Sequence, residues 1–215
     1  MRSHRSVLLA SILMAASVAA SADERDIVIN EIFYQHPDTD DWFELKNTGF
    51  ETIDVSTWFF CCDPMGVSIC VGVGAVVILT GDDLILEPGE IVTLDMALFA
   101  SEVAGEFALF SNSDTMVDFL NYGSGIDFGR AQEAVDAGLW TRPPGSLYDF
   151  IPVSGPTESA SWCGTNSGGG HITLSSDFQN GPPTMGVDNP CASEMFFDGF
   201  ESGDTSAWSG AVGGT

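Results

Sequence analysis

Positive charge is what this sequence has least of. Against 31 Asp and Glu stand six Lys and Arg, a formal net charge of −25 over 215 residues. Nucleic-acid affinity rests largely on Lys and Arg displacing counterions from phosphates, so this balance argues against a nucleic-acid partner. Histidine is scarcer still, at three residues. With a cysteine spacing that suits disulfides better, this disfavours zinc. There is no Gly-x-Ser-x-Gly elbow for a nucleophilic serine. "TNSGGGH" lacks the Lys and the strand-to-helix context of a phosphate loop. Ser161, Cys163 and His171 spell only a partial triad, within a Gly-rich stretch that reads as a connection between strands. No long apolar run follows the first 22 residues, so no membrane helix is expected in the mature chain.

Those first residues read as a secretory signal peptide. "MRSHR" is a positive leader, "SVLLASILMAASVAA" an apolar stretch, and Ala20-Ser21-Ala22 a small-residue cleavage pattern that starts the mature chain at Asp23. Cleavage would leave Arg25, Lys46, Arg130 and Arg142 as the only basic residues. The expected organisation is a signal peptide over 1–22, one domain over 23–191, and a tail over 192–215 rich in aromatic, acidic and small residues. An exported acidic chain leaves cations as plausible ligands.

Five cysteines in an exported chain imply disulfides with one thiol left over. Cys61 and Cys62 are adjacent, and on a strand they point to opposite faces. One of them pairs with Cys70 across a short loop, Cys62 being taken as that one, and Cys163 is paired with Cys191. The fifth is a free thiol or a link to another molecule.

Along the domain, short alternating segments recur between turn signals. "DIVINEIFYQ" reads as a first strand. "WFELKN" puts Phe43 and Leu45 on one face and Trp42, Glu44 and Lys46 on the other. "NTGFE" supplies a turn in which Gly49 can take positive φ, and "TIDVSTW" alternates again, so 40–58 reads as a hairpin. "VGVGAVVILT" reads as a strand buried on both faces. "IVTLDM" follows the "EPGE" turn, and "EFALF" and "TMVDFLNYG" flank "SNSD" as a further hairpin. "DFGRAQEAVDAGLW" (127–140) is the one helical pattern, "SASWCGTNSGGGH" reads as loop, and "PPTMGVDNPC" as extended. Eight or nine short strands with one short helix predict an all-β sandwich or barrel.

Taken in order, "INEIFY", "DDWFELKNTGFETIDVSTW", "LEPGE", "DTMVDFLNYG" and "PTMGVDN" resemble the lamin tail domain in its bacterial exported form, over roughly Asp26 to Asn189. The resemblance implies an immunoglobulin-like β-sandwich without catalytic activity of its own, serving binding or attachment outside the cell. The chain differs from that pattern in the cysteine cluster "FFCCDPMGVSIC" and in lacking a basic surface. The tail "FFDGFESGDTSAWS" resembles a short C-terminal segment that recurs on unrelated exported proteins of Gram-negative bacteria, which implies sorting, retention or assembly.

Several residue sets carry candidate chemistry. Glu31 and Glu44 fall on neighbouring strands and form either an acid/base pair or two hydrogen-bonded carboxylates that pin the first strands. Asp38, Asp40 and Asp41 present hard oxygens at a spacing that suits Ca2+, without the remainder of an EF-hand loop. Asp198, Glu201 and Asp204 repeat that chemistry in the tail. Trp42 and Trp140 are the candidate exposed aromatics for a sugar or polymer. Arg130 and Arg142 are expected to pair with local acids, and Lys46 to be a local charge partner. The expected function is an exported, non-catalytic binding or structural domain acting at the cell envelope or in the extracellular space, on an envelope protein or a polysaccharide. The alternative is a calcium-dependent carbohydrate-binding module.

Overall fold

The computed structural model describes residues 23–34, 41–63, 68–96, 104–152, 155–164 and 174–191. They form an all-β sandwich with one short helix. In chain order the strands are β1 (Ile27–Phe33), β2 (Trp42–Asn47), β3 (Ile53–Asp54), β4 (Phe59–Cys62), β5 (Ile69–Gly72), β6 (Ile78–Thr80), β7 (Ile85–Leu86), β8 (Ile91–Asp95), β9 (Gly105–Phe110) and β10 (Met116–Tyr122). The helix α1 (Ala131–Asp136), β11 (Ser159–Trp162) and β12 (Phe178–Gly181) complete the set.

One sheet has six strands in the order β12-β11-β1-β2-β8-β6, and the other has four in the order β10-β9-β4-β5. A two-stranded ladder, β3-β7, stands apart. Aromatic rings join the two main sheets. Phe43 from the first lies 4.7 Å from Phe60 and 4.8 Å from Phe107 of the second. The α1 residues Ala131 and Ala134 are buried, and Trp140 beyond it meets Phe119 edge-on at 5.4 Å.

Alternation decided β2 as expected, but not its partner. The 40–58 stretch is not a hairpin: β2 pairs with β1 and β8, while β3 pairs with β7. The reason is Asn47. Its side chain donates to the carbonyls of Glu51 and Leu86 and accepts from Gly49 N, so the chain leaves the sheet instead of folding back. Gly49 is needed for space rather than for positive φ, since a Cβ there would meet the Asp26 carboxylate at 2.4 Å. "VGVGAVVILT" is not one buried strand either. A 3-10 turn at Val73–Ala75 splits it into the end of β5 and β6, the outermost strands of different sheets. "SASW" is strand β11 rather than loop, because Ser159–Trp162 fills the place between β1 and β12.

The structure pairs Cys163 with Cys191 and Cys61 with Cys70. Cys62, taken above as the partner of Cys70, is the free thiol and is buried. Register decides this: Cys61 stands directly opposite Cys70 on β4 and β5, and Cys62 points to the other face, 3.8 Å from Met96 Sδ.

Candidate functional site

A β-bulge sets up the site. In β1, Ile29 pairs with Leu45, then the register slips by one residue and Glu31 pairs with Glu44. Without Asn30 as the extra residue, period two would turn Glu31 toward the core alongside Ile27 and Ile29. With it, Ile32 and Phe43 continue the core, and Glu31 and Glu44 share the outer face of the six-stranded sheet.

A polar row crosses the whole sheet at this level. Successive cross-strand partners are Gln179, Ser161, Glu31, Glu44, Thr93 and Thr80, one from each of the six strands. The segment Thr184–Asn189 lies on the central part of that row. Thr184 and Val187 close a turn, with Val187 N donating to Thr184 O at 2.9 Å and Gly186 at φ +75. Gly in that position is what a type II turn requires. It is also required by space, since a Cβ on Gly186 would meet Thr80 Oγ1 at 2.8 Å.

The two carboxylates hold this segment. Glu31 accepts from Thr184 N at 3.0 Å and Thr184 Oγ1 at 2.8 Å, and from the Ser159 and Ser161 hydroxyls. Glu44 accepts from Gly186 N, from Thr93 Oγ1 at 2.8 Å and from Asn30 Nδ2 at 3.0 Å. Asn189 Nδ2 donates to the Asn30 and Trp162 carbonyls, both at 2.9 Å. Lys46 Nζ lies 2.6 Å from Asp188 Oδ1. Cys191 then bonds to Cys163 just beyond β11. The result is a latch that ties the domain's last described residues to its first strands.

Glu31 and Glu44 are fully buried, and both oxygens of each accept hydrogen bonds. Burial pushes the Glu44 carboxyl above its usual range, the donors Gly186 N, Thr93 and Asn30 pull it back, and the charge of Glu31 adds to the rise. Chemically, the pair serves as an acceptor array for the latch. "PPTMGVDNPC" is accordingly a turn clamped at several points, not an extended strand.

The other expected site residues fall elsewhere. Trp42 and Trp140 are not an exposed platform: they are 4% and 2% exposed. Trp42 stacks on Phe33 at 5.5 Å, and Trp140 Nε1 donates to Asp149 O at 2.8 Å, so each ring has a packing partner or hydrogen bond inside the fold. Asp41 is half-buried, with its carbonyl accepting from Met96 N at 2.8 Å. Asp38 and Asp40 lie outside the described residues, as do His171, Asp198, Glu201 and Asp204. Among the described residues, no group of three or more His, Cys, Asp or Glu is arranged to hold a metal ion. Of the partial triad, Ser161 bonds Glu31 and Cys163 is in a disulfide. Arg130 does pair with acids, 3.0 Å from Glu133 and 3.7 Å from Asp63. Among the described residues Arg142 has no acidic partner: it donates to Tyr148 Oη and Ser146 O and lies over the Tyr148 ring at 4.6 Å. Lys46 has a charge partner, but one 142 residues away in sequence.

A second buried acidic group had no sequence signature beyond period two. Glu106 accepts from Phe128 N at 2.8 Å and Arg130 N at 2.7 Å, and so holds the loop that leads into α1. Burial raises its carboxyl to about 7, against the pull of those two amides and with help from Asp127 and Asp63. Asp63 is also buried and raised for the same first reason, and its Oδ2 has no hydrogen-bond partner.

A scan against protein-family models and a search of curated proteins each return no match for this chain. Two disulfides suit an oxidising compartment. Among the described residues no helix is long and apolar enough to cross a membrane.

Proposed function

We propose that this chain is an exported, non-catalytic binding or structural domain of the cell envelope or extracellular space, built on a lamin-tail-type, immunoglobulin-like sandwich. One observation carries the reading. The carboxylate pair that the sequence offers for acid/base chemistry is spent on the latch, with both oxygens of Glu31 and of Glu44 accepting from protein donors. The motifs that carry the family resemblance are also the latch: "INEIFY" and "WFELKN" supply the carboxylates, and "PTMGVDN" the segment they hold. These motifs serve a closed, stapled scaffold, and binding then belongs to its surface. Such a scaffold suits an oxidising environment outside the cytoplasm, where the disulfides persist.

The test is association of the purified mature protein with envelope fractions and isolated wall or matrix polysaccharides. Saturable binding to one fraction is the expected result, and no saturable association with any of them would overturn the reading. The calcium-dependent carbohydrate reading has lost its aromatic half with the burial of Trp42 and Trp140. Its metal component is tested by a thermal melt, in which no change on adding calcium or chelator would remove it.

A further inference from the structure

The disulfide between Cys61 and Cys70 sits differently from the one that closes the latch. It bridges two residues directly opposite each other on neighbouring strands. Cys61 is fully buried on β4, while Cys70 is exposed on β5, the outermost strand of its sheet. The two sulfurs therefore differ in access. A nucleophile from solvent meets Cys70, and the bond's other half is shielded.

A cation is fixed beside the bond. Arg130 Nη2 lies 3.7 Å from Cys61 Sγ and 3.9 Å from Cys70 Sγ. The guanidinium is held there by Glu133 at 3.0 Å, by Asp63 at 3.7 Å and by the Phe110 ring, 5.1 Å from its carbon to the ring centroid. A positive charge at such a distance favours a thiolate over a thiol. In a chain with so few cations, this one is placed where a leaving sulfur would acquire negative charge.

We propose that Cys70 is a thiol-exchange site, at which a small external thiol forms a mixed disulfide and expels Cys61 as a thiolate held by Arg130. The external thiolate attacks Cys70 Sγ, the new sulfur–sulfur bond forms there, and the Cys61–Cys70 bond breaks with its electron pair leaving on Cys61. No net oxidant is needed, because the disulfide itself is the electron acceptor. Cys62 takes no part: it points to the opposite face, and burial, with the charges of Asp63 and Asp41, pushes its thiol well above the ordinary range. The latch disulfide is less open to attack, since neither half is exposed: Cys163 is half-buried, and Cys191 is buried with its sulfur 3.7 Å from the Trp162 carbonyl. This inference stands independently of the binding role proposed above.

The experiment exposes the folded mature protein to glutathione under native conditions, quenches with acid at intervals, and maps adducts by mass spectrometry. The expected first adduct is on Cys70, with Cys61 appearing as a free thiol and Cys163–Cys191 intact. First reaction at Cys163 or Cys191, an adduct on Cys61 or Cys62, or no adduct while the protein stays folded would overturn the proposal. R130Q is expected to slow the first adduct about threefold or more, because exchange slows as the leaving thiol becomes more basic. R130K keeps the charge and is expected to restore most of the rate. An R130Q rate equal to that of the parent, with a native circular dichroism spectrum, would remove Arg130 from the mechanism.

Discussion

Glu31 and Glu44 stand directly opposite each other on β1 and β2, both fully buried and both tied to the same six-residue segment, Thr184–Asn189. Like charges in directly opposed positions destabilise a sheet, and buried carboxylates are costly without donors. Their presence is explained by what they hold. The donors come from β1, β8, β11 and the latch, so the array is complete only when strands far apart in sequence and the latch have assembled.

Truncating either carboxylate is expected to loosen the latch. E31A and E44A each leave buried donors unmatched, which costs on the order of 2–4 kcal/mol of stability. Amide hydrogen exchange is the specific readout: the Thr184 amide in E31A and the Gly186 amide in E44A should exchange at least tenfold faster than in the parent. Unchanged protection at both amides would mean that the latch is held by the disulfide and the Asn189 hydrogen bonds rather than by the carboxylates.

Gly186 is expected to resist substitution for two separable reasons. Ala at φ +75 is strained, and its Cβ meets Thr80. G186A should cost about 2 kcal/mol or more. In a T80A background the added penalty should shrink by about 0.5–1 kcal/mol, because Thr80 Oγ1 is gone while the backbone strain remains. Denaturant melts of the four proteins give the coupling directly.

Stability should fall as pH rises through the range set by Glu106. Its folded-state pKa is raised from 4.5 to about 7. The folded state therefore binds a proton more tightly than the unfolded chain, and the stability this contributes is full below about 4.5 and lost as pH passes 7. The limit is on the order of 3 kcal/mol for a shift of that size. E106Q should flatten the Tm against pH profile between those values, and a parent-like profile in E106Q would place the dependence elsewhere. The raised carboxyls of Glu44 and Asp63 act in the same direction.

The two disulfides should differ in what their removal costs. Cys163–Cys191 closes a separation of 28 residues and Cys61–Cys70 one of nine. Loop entropy puts the losses at about 3.5 and about 2.5 kcal/mol for the double Ser variants. Equilibrium unfolding in urea measures both. The reverse order would show that the latch loop keeps structure in the unfolded chain.

The ion pair of Lys46 with Asp188 should contribute little, despite its 2.6 Å separation. The Asp188 side chain is 77% exposed, and exposed pairs are worth about 0–1 kcal/mol. D188A is expected to leave the melt nearly unchanged, in contrast to E31A and E44A. A loss above 2 kcal/mol would make this pair a principal clamp of the latch.

What was legible in the sequence followed from local rules. Alternation located β2 and β8 to within a residue, and the "SNSD" turn placed β9 and β10 as a hairpin. The all-β class came from the same signals. Residues missed are those whose role depends on a partner far along the chain. Glu106 looks like any strand residue until Phe128 N and Arg130 N arrive above it. Trp42 alternates to the outer face and so looked exposed, yet Phe33 from the neighbouring strand packs against it.

By itself the sequence determined the strand-rich class and the acidic balance, because these depend on side-chain period and charge within a few residues. Tertiary structure alone decided which strands pair, which of Cys61 and Cys62 meets Cys70, and what Glu31 and Glu44 are for. Each of those turns on register, and a single extra residue at Asn30 moves a carboxylate from the core to the outer face. Register is set where distant strands meet, so no local stretch of sequence contains it.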